Sequence, residues 1–92
     1  MKDIIISIAS PLRKFTDGED DIALKADSVG GALIALCARH PRLDGRVLGA
    51  EGDLREFINV FVGKTNIRSL EGLRTPLAGG EVIAIASPFS GG

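Results

Sequence analysis

An α+β fold, with a mixed four- to five-stranded sheet wrapped on one main helix, follows from three observations in this 92-residue sequence. Two apolar, alternating stretches, Ile4 to Ala9 and Asp21 to Ala26, lie on either side of turn chemistry. A single amphipathic stripe begins at Val29 and stops before Pro41. Two β-rich runs, Phe57 to Val62 and Val82 to Ala86, come after it, with at most a very short strand at Ile67-Arg68 between them. A first hairpin, a crossing helix and a last strand returning beside the first satisfy the right-handed crossover rule, which permits few other arrangements.

Each element has a local reason. Ile4, Ile6 and Ile8 share one face at period 2, and Ile5 makes the strand apolar on both sides for part of its length, as a central strand requires. Thr16-Asp17-Gly18-Glu19 supplies the turn, and the acidic run Asp17, Glu19, Asp20 and Asp21 reads as its solvated tip. The second strand turns Ile22 and Leu24 inward. Asp27-Ser28 is an N-cap signal, and Val29, Leu33, Leu36, Cys37 and His40 form one helical stripe. Gly30-Gly31 lacks the surroundings of a phosphate loop and reads as close packing of the helix on the sheet. Residues 42–56 are the least regular; Leu43, Val47 and Leu48 suggest a short second helix, followed by a turn over Gly49 to Asp53. Phe57 to Val62 is the strongest strand signal, with Ile58, Val60 and Val62 on one face and Phe57 and Phe61 on the other. Leu77 to Glu81 turns the chain into the last strand.

Composition narrows the function classes. Hydrophobic content of 45%, charged content of 25% and a formal net charge of −1 describe one ordinary globular domain, not a surface built for nucleic acid or anionic membrane. The single cysteine makes no internal disulfide and no four-thiolate metal or iron–sulfur site, so a cytoplasmic setting is expected. Met1 to Ile8 is too short for a signal segment, and no stretch reaches membrane-spanning length. His40 is the only histidine and reads as a cap on helix carbonyls rather than a metal ligand; Cys37, inside the apolar stripe, reads as an inert buried thiol. Arg39, Arg42, Arg46 and Arg55 face either solvent or an acidic partner.

The strand–strand–helix–strand–short strand–strand order is a β-grasp, the ubiquitin-like shape. It leaves a domain over residues 1–86 and a flexible tail over 87–92, Ser-Pro-Phe-Ser-Gly-Gly. Pro88 stops the strand from running on, and glycines without Cβ pass where a partner's channel is narrow. Six residues extend roughly 20 Å at about 3.3 Å each. A slim arm presenting the α-carboxylate of Gly92 is one reading of Gly91-Gly92; an ordinary flexible end is the other. For Phe57 and Phe61 a docking patch and an aromatic pair covered by a loop or tail both remain open.

Three pieces carry a family resemblance. Pro41 to Asp53 resembles the family run PGLRERLLDEDG, and Phe57-Ile58-Asn59-Val60-Phe61-Val62 followed by Ile67-Arg68 is similar to FVNVFVN and IR. Gly72-Leu73, Thr75, Leu77, Gly80-Glu81, Ile83, Ile85 and Gly91-Gly92 match the family's last third without a gap. The chain thus resembles the MoaD/ThiS-type sulfur carriers, ubiquitin-like proteins that deliver sulfur as a C-terminal thiocarboxylate, and within them the CysO-like branch. It departs from the pattern at Val82, where a polar residue is usual, at Pro88, and in Ser87-Pro88-Phe89-Ser90.

The resemblance implies a carrier, not an enzyme, with Gly92 as the attachment point and Gly91 beside it. Partner contacts are expected at Phe57, Phe61, Phe89 and Ser90. It implies no bound cofactor and no metal; Mg-ATP is used by a ubiquitin-activating-like adenylyltransferase. Further partners are a sulfur donor (sulfide, or the persulfide of a rhodanese or cysteine desulfurase), an acceptor biosynthetic enzyme, and a metalloprotease acting at the C-terminus. The acceptor pathway, whether cysteine or homocysteine, molybdopterin, thiamin or another sulfur metabolite, stays open. So do two other classes: a modifier forming isopeptides through Gly92, and a plain β-grasp binding module.

Overall fold

The computed structural model describes residues 1–87. Phe89, Ser90, Gly91 and Gly92, with most of the expected tail, lie outside the described residues.

β1 (Lys2–Ile8) and β2 (Asp21–Ala26) pair antiparallel, α1 (Val29–Arg39) crosses the sheet, and β3 (Asn59–Val62), β4 (Thr65–Asn66) and β5 (Val82–Ala86) complete it. The strand order is β2-β1-β5-β3-β4. β1 and β5 run parallel with Ile5 opposite Val82 and Ile8 opposite Ile85, and β5 pairs antiparallel with β3. This is the β-grasp expected from the sequence. Ser28 caps α1, its Oγ accepting from the Gly31 N–H at 3.1 Å. Ile4, Ile6, Ile8, Ile22, Val60, Ile83 and Ile85 on the sheet and Val29, Ala32, Leu33 and Leu36 on the helix form one buried core. Each fully buried Val, Ile or Leu among them contributes about 1.5–3 kcal/mol.

Several elements differ from the expectations. β1 is flanked on both sides, yet Ile5 is 42% exposed, because the helix covers only one face of the sheet. The first connection is no tight hairpin: Ser10–Phe15 form a 3-10 helix that buries Leu12 before the turn. No second α-helix forms after Pro41. A 3-10 turn, Pro41–Leu43, gives way at Gly45 (φ +80°), and a second glycine, Gly52 (φ +81°), closes a loop bridged by Leu48 and Leu54. Leu43, Val47 and Leu48 are still buried, so the apolar spacing marked core contacts rather than a helix. β3 starts at Asn59, not Phe57, because the Ile58 N–H is spent on the Arg55 carbonyl in a turn. Ile67-Arg68 is not a strand either: the Asn66 side chain accepts from the Arg68 N–H at 2.9 Å and starts a 3-10 turn, Ile67–Ser69.

Gly30 packs not on the sheet but on the turn Gly72–Arg74. A Cβ there would meet the Leu73 carbonyl oxygen at 3.0 Å and its Cβ at 3.3 Å. That turn is tied to the helix start by the Val29 N–H on the Thr75 carbonyl and the Leu77 N–H on the Asp27 carbonyl. The Thr75 hydroxyl donates to the Gly72 carbonyl at 2.7 Å and accepts from the Glu71 N–H, a structural reason for threonine at that position.

Candidate functional site

Ser87, the last described residue, directly follows β5. The loop before β5 fixes the position of that strand. The Glu81 carboxylate accepts from the Ala78 and Gly79 N–H groups at 2.7 Å each, and Gly79 (φ +113°) and Gly80 (φ +85°) adopt backbone that favours glycine. The Ala78 bond first, with Gly79 behind it, holds the Glu81 carboxyl below its usual range. The Gly80 N–H reaches the Asp3 carbonyl and the Ile5 N–H the Glu81 carbonyl, fixing β5 against β1.

Two surfaces border β5 and the segment that follows it. The first is the open face of the sheet, where Ile5 lies opposite Val82 and Phe61 opposite Ala84. Ile5 is 42% and Val82 47% exposed, and Phe61 is half-buried. The second is a concave region lined by Leu12, Phe15, Arg46, Arg55, Phe57 and Ser87, among others. The expected aromatic pair is therefore split. Phe61 stands on the open sheet face, whereas Phe57, 51% exposed, lies before β3 in the same concave region as Ser87. Asn59 on β3 is also tied down, its side-chain oxygen accepting from Arg68 Nη1 at 3.0 Å while Arg68 Nη2 reaches the Ile58 carbonyl. That bond accounts for the Asn and Arg of the second motif.

The remaining polar candidates have structural roles. His40 does not cap carbonyls with its ring: Nε2–H donates to Glu19 at 2.8 Å, and only its backbone N–H reaches Leu36. Glu19 is accordingly no free member of a solvated tip. The His40 hydrogen bond, aided by the Arg39 charge at 3.4 Å, holds its carboxyl below the usual range. Cys37 is half-buried; burial first, then the Asp44 charge, pushes its thiol up, which leaves it a poor nucleophile near neutral pH. Among the described residues no group of three or more His, Cys, Asp or Glu gathers to hold a metal, and no helix is long and apolar enough to cross a membrane. The Phe15 environment was missed in the sequence. Lys14, Arg42 and Arg46 all lie over its ring, the last with Cζ 4.1 Å from the centroid.

A five-stranded mixed sheet on one main helix, in the order β2-β1-β5-β3-β4, defines a ubiquitin-like β-grasp protein. The ThiS family model matches residues 6–92, and the chain belongs to that family. It is 28% identical over 91 residues to the sulfur carrier protein CysO of Mycobacterium tuberculosis, covering 97% of this chain and 98% of that protein. The solution structure of small archaeal modifier protein 1 from Methanosarcina acetivorans is similar at TM-score 0.87 and 31% identity, covering 100% of this chain and 98% of that one. The CysO-type fold in the Amycolatopsis orientalis BexX/CysO complex gives TM-score 0.86 and 29% identity, covering 97% and 99%. Its relatives therefore include ubiquitin-like sulfur carriers.

Proposed function

We propose that this chain carries sulfur on Gly92 as a thiocarboxylate. The observation that carries the reading is the family match, which reaches through Gly91-Gly92 at residue 92. A carboxylate is a poor electrophile because its charge is delocalised over two oxygens. An adenylyltransferase of the ubiquitin-activating type joins the Gly92 carboxylate to the α-phosphate of Mg-ATP, releasing pyrophosphate. Sulfide, or the terminal sulfur of a persulfide followed by two-electron reduction of the resulting mixed disulfide by a thiol, then displaces AMP. The C–O bond to the phosphate breaks, a C–S bond forms, and the thiocarboxylate is the nucleophile handed to an acceptor enzyme. Any residue following Gly92 in a precursor is first removed by a protease.

The chain's own contribution is binding and reach. Ser87 to Gly92 spans roughly 17 Å at about 3.3 Å per residue, enough to thread a covered active site while the sheet stays outside. Phe61, Ile5 and Val82 on the open face, and Phe57 in the concave region, are the proposed docking side chains, with Phe89 and Ser90 in the channel. The chain itself catalyses nothing in this reading.

Intact mass measurement of the protein after incubation with ATP, sulfide and the activating enzyme of its own cells tests the proposal. Replacement of one oxygen by sulfur at Gly92 is expected, and removal of Gly91-Gly92 abolishes it with the fold intact. A truncated chain that still supports sulfur transfer overturns the carrier. The likeness to a small archaeal modifier protein favours a second reading, in which the same activated Gly92 passes to a lysine amine. Conjugates of higher mass in cell extracts, lost with Gly92, are its signature.

A further inference from the structure

Three cations lie over one aromatic ring, Phe15, which lines the same concave region as Ser87. The Lys14 Nζ lies 5.3 Å, the Arg42 Cζ 5.7 Å and the Arg46 Cζ 4.1 Å from the Phe15 centroid. Arg46, Arg55 and Lys14 line the same concave region as Ser87. Among the described residues the ion pairs are made by the Met1 amine, Lys25, Arg39 and His40. None involves Lys14, Arg42, Arg46 or Arg55, although Asp44, Asp53 and Glu56 are close in sequence. Holding like charges together is unfavourable, and the face of Phe15 offsets part of that cost.

Arg46 is also preset. Its Nε donates to the Arg42 carbonyl at 3.0 Å, and its guanidinium is stacked on the ring. Both terminal nitrogens are left for a carboxylate, the two-pronged geometry in which arginine binds best. Placement supplies the last argument. Gly92 is five residues from Ser87, so an enzyme enclosing Gly92 covers ground within roughly 17 Å of this region.

We propose that the Phe15 ring and the cations Lys14, Arg42, Arg46 and Arg55 form a second docking surface, which takes an acidic polypeptide segment of the enzyme that handles Gly92. The proposal rests on the carrier reading for the identity of that enzyme, but not for the chemistry of the segment. The cations steer the encounter, and the apolar floor of Leu12 and Phe15 lets the partner's backbone approach. The arm is then delivered in one orientation, because the sheet face and this surface are engaged together.

Two measurements on the full chain test it. In the first, the 15N-labelled protein is titrated with hexaglutamate, with inorganic pyrophosphate as the control anion. Shifts confined to the amides of residues 12–15, 42–46 and 55 with hexaglutamate, and weaker with pyrophosphate, support the surface. Shifts spread over all exposed cations, or equal shifts with pyrophosphate, overturn an acidic polypeptide as its ligand. In the second, thiocarboxylate formation by the activating enzyme is followed for wild type, Arg46→Gln/Arg55→Gln and Arg46→Lys/Arg55→Lys. Loss of two rim charges raises KM by about tenfold at low salt, the effect falling on KM rather than kcat, and the lysine pair recovers part of it. The gap closes in about 0.5 M salt, where screening acts over roughly 4 Å. Equal KM values for wild type and the glutamine pair overturn the docking role. Wild type that gains no sulfur at all overturns the carrier reading instead, and the titration then decides the surface by itself.

Discussion

Along β1 the chain sets two kinds of isoleucine side by side. Ile4, Ile6 and Ile8 are buried under α1, while Ile5, between them, is 42% exposed on the other face of the same strand. β5 repeats the pattern, with Ile83 and Ile85 buried and Val82 47% exposed. The side-chain chemistry is the same on both faces, and only the cover differs. Apolar residues on the covered face hold the fold; those on the open face add little to it and leave an exposed apolar surface. One sheet thus separates a face that holds the fold from one that is free to do other work, by the pleat alone.

The contrast can be broken most directly at Ile6. Ile6→Ala removes fully buried methylenes and is expected to lower stability by about 2–5 kcal/mol in urea unfolding, whereas Ile5→Ala costs less than about 1 kcal/mol. Equal losses would mean that the open face is covered in solution. Gly30→Ala probes how closely the cover is seated. The added Cβ presses on Leu73, and about 1–2 kcal/mol of overpacking is expected to outweigh the helix-propensity gain of up to about 1 kcal/mol. A stabilised variant would show that the Gly72–Arg74 turn yields.

Phe61→Asp sharpens the other side. Half-buried, Phe61 is expected to cost only about 1 kcal/mol of stability, while binding to the activating enzyme weakens about tenfold or more. Unfolding of that variant would place Phe61 in the core. The smallest effect is expected at Glu19→Gln, which weakens the contact to His40. Because the folded-state carboxyl is held below its ordinary value of 4.5, its contribution is present above that pH and fades as the pH falls through the lowered value. The melting-temperature gap between wild type and Glu19→Gln should therefore be open at neutral pH and close below about pH 4.5. A gap that persists in strong acid would assign the effect to packing.

Periodicity determined the central part of the buried set. Ile4, Ile6 and Ile8 at period 2, and Val29, Leu33 and Leu36 at helical spacing, can be buried together in only one way once the crossover is right-handed. Glycines at turns such as Gly79 and Gly80 were legible too, because their positive φ favours a residue without Cβ. Tertiary structure decided where cover ends and which polar groups meet. Whether Ile5 is buried depends on there being a single helix, which no residue of β1 encodes. His40 with Glu19, Asn59 with Arg68, and the cations around Phe15 join elements far apart in sequence. Phe57 left the sheet through a local turn that its own β-propensity opposed, since the Ile58 N–H found the Arg55 carbonyl before it could find a strand. Burial pattern is a property of short windows, whereas a pairing is settled only when the fold brings its two halves within hydrogen-bonding distance.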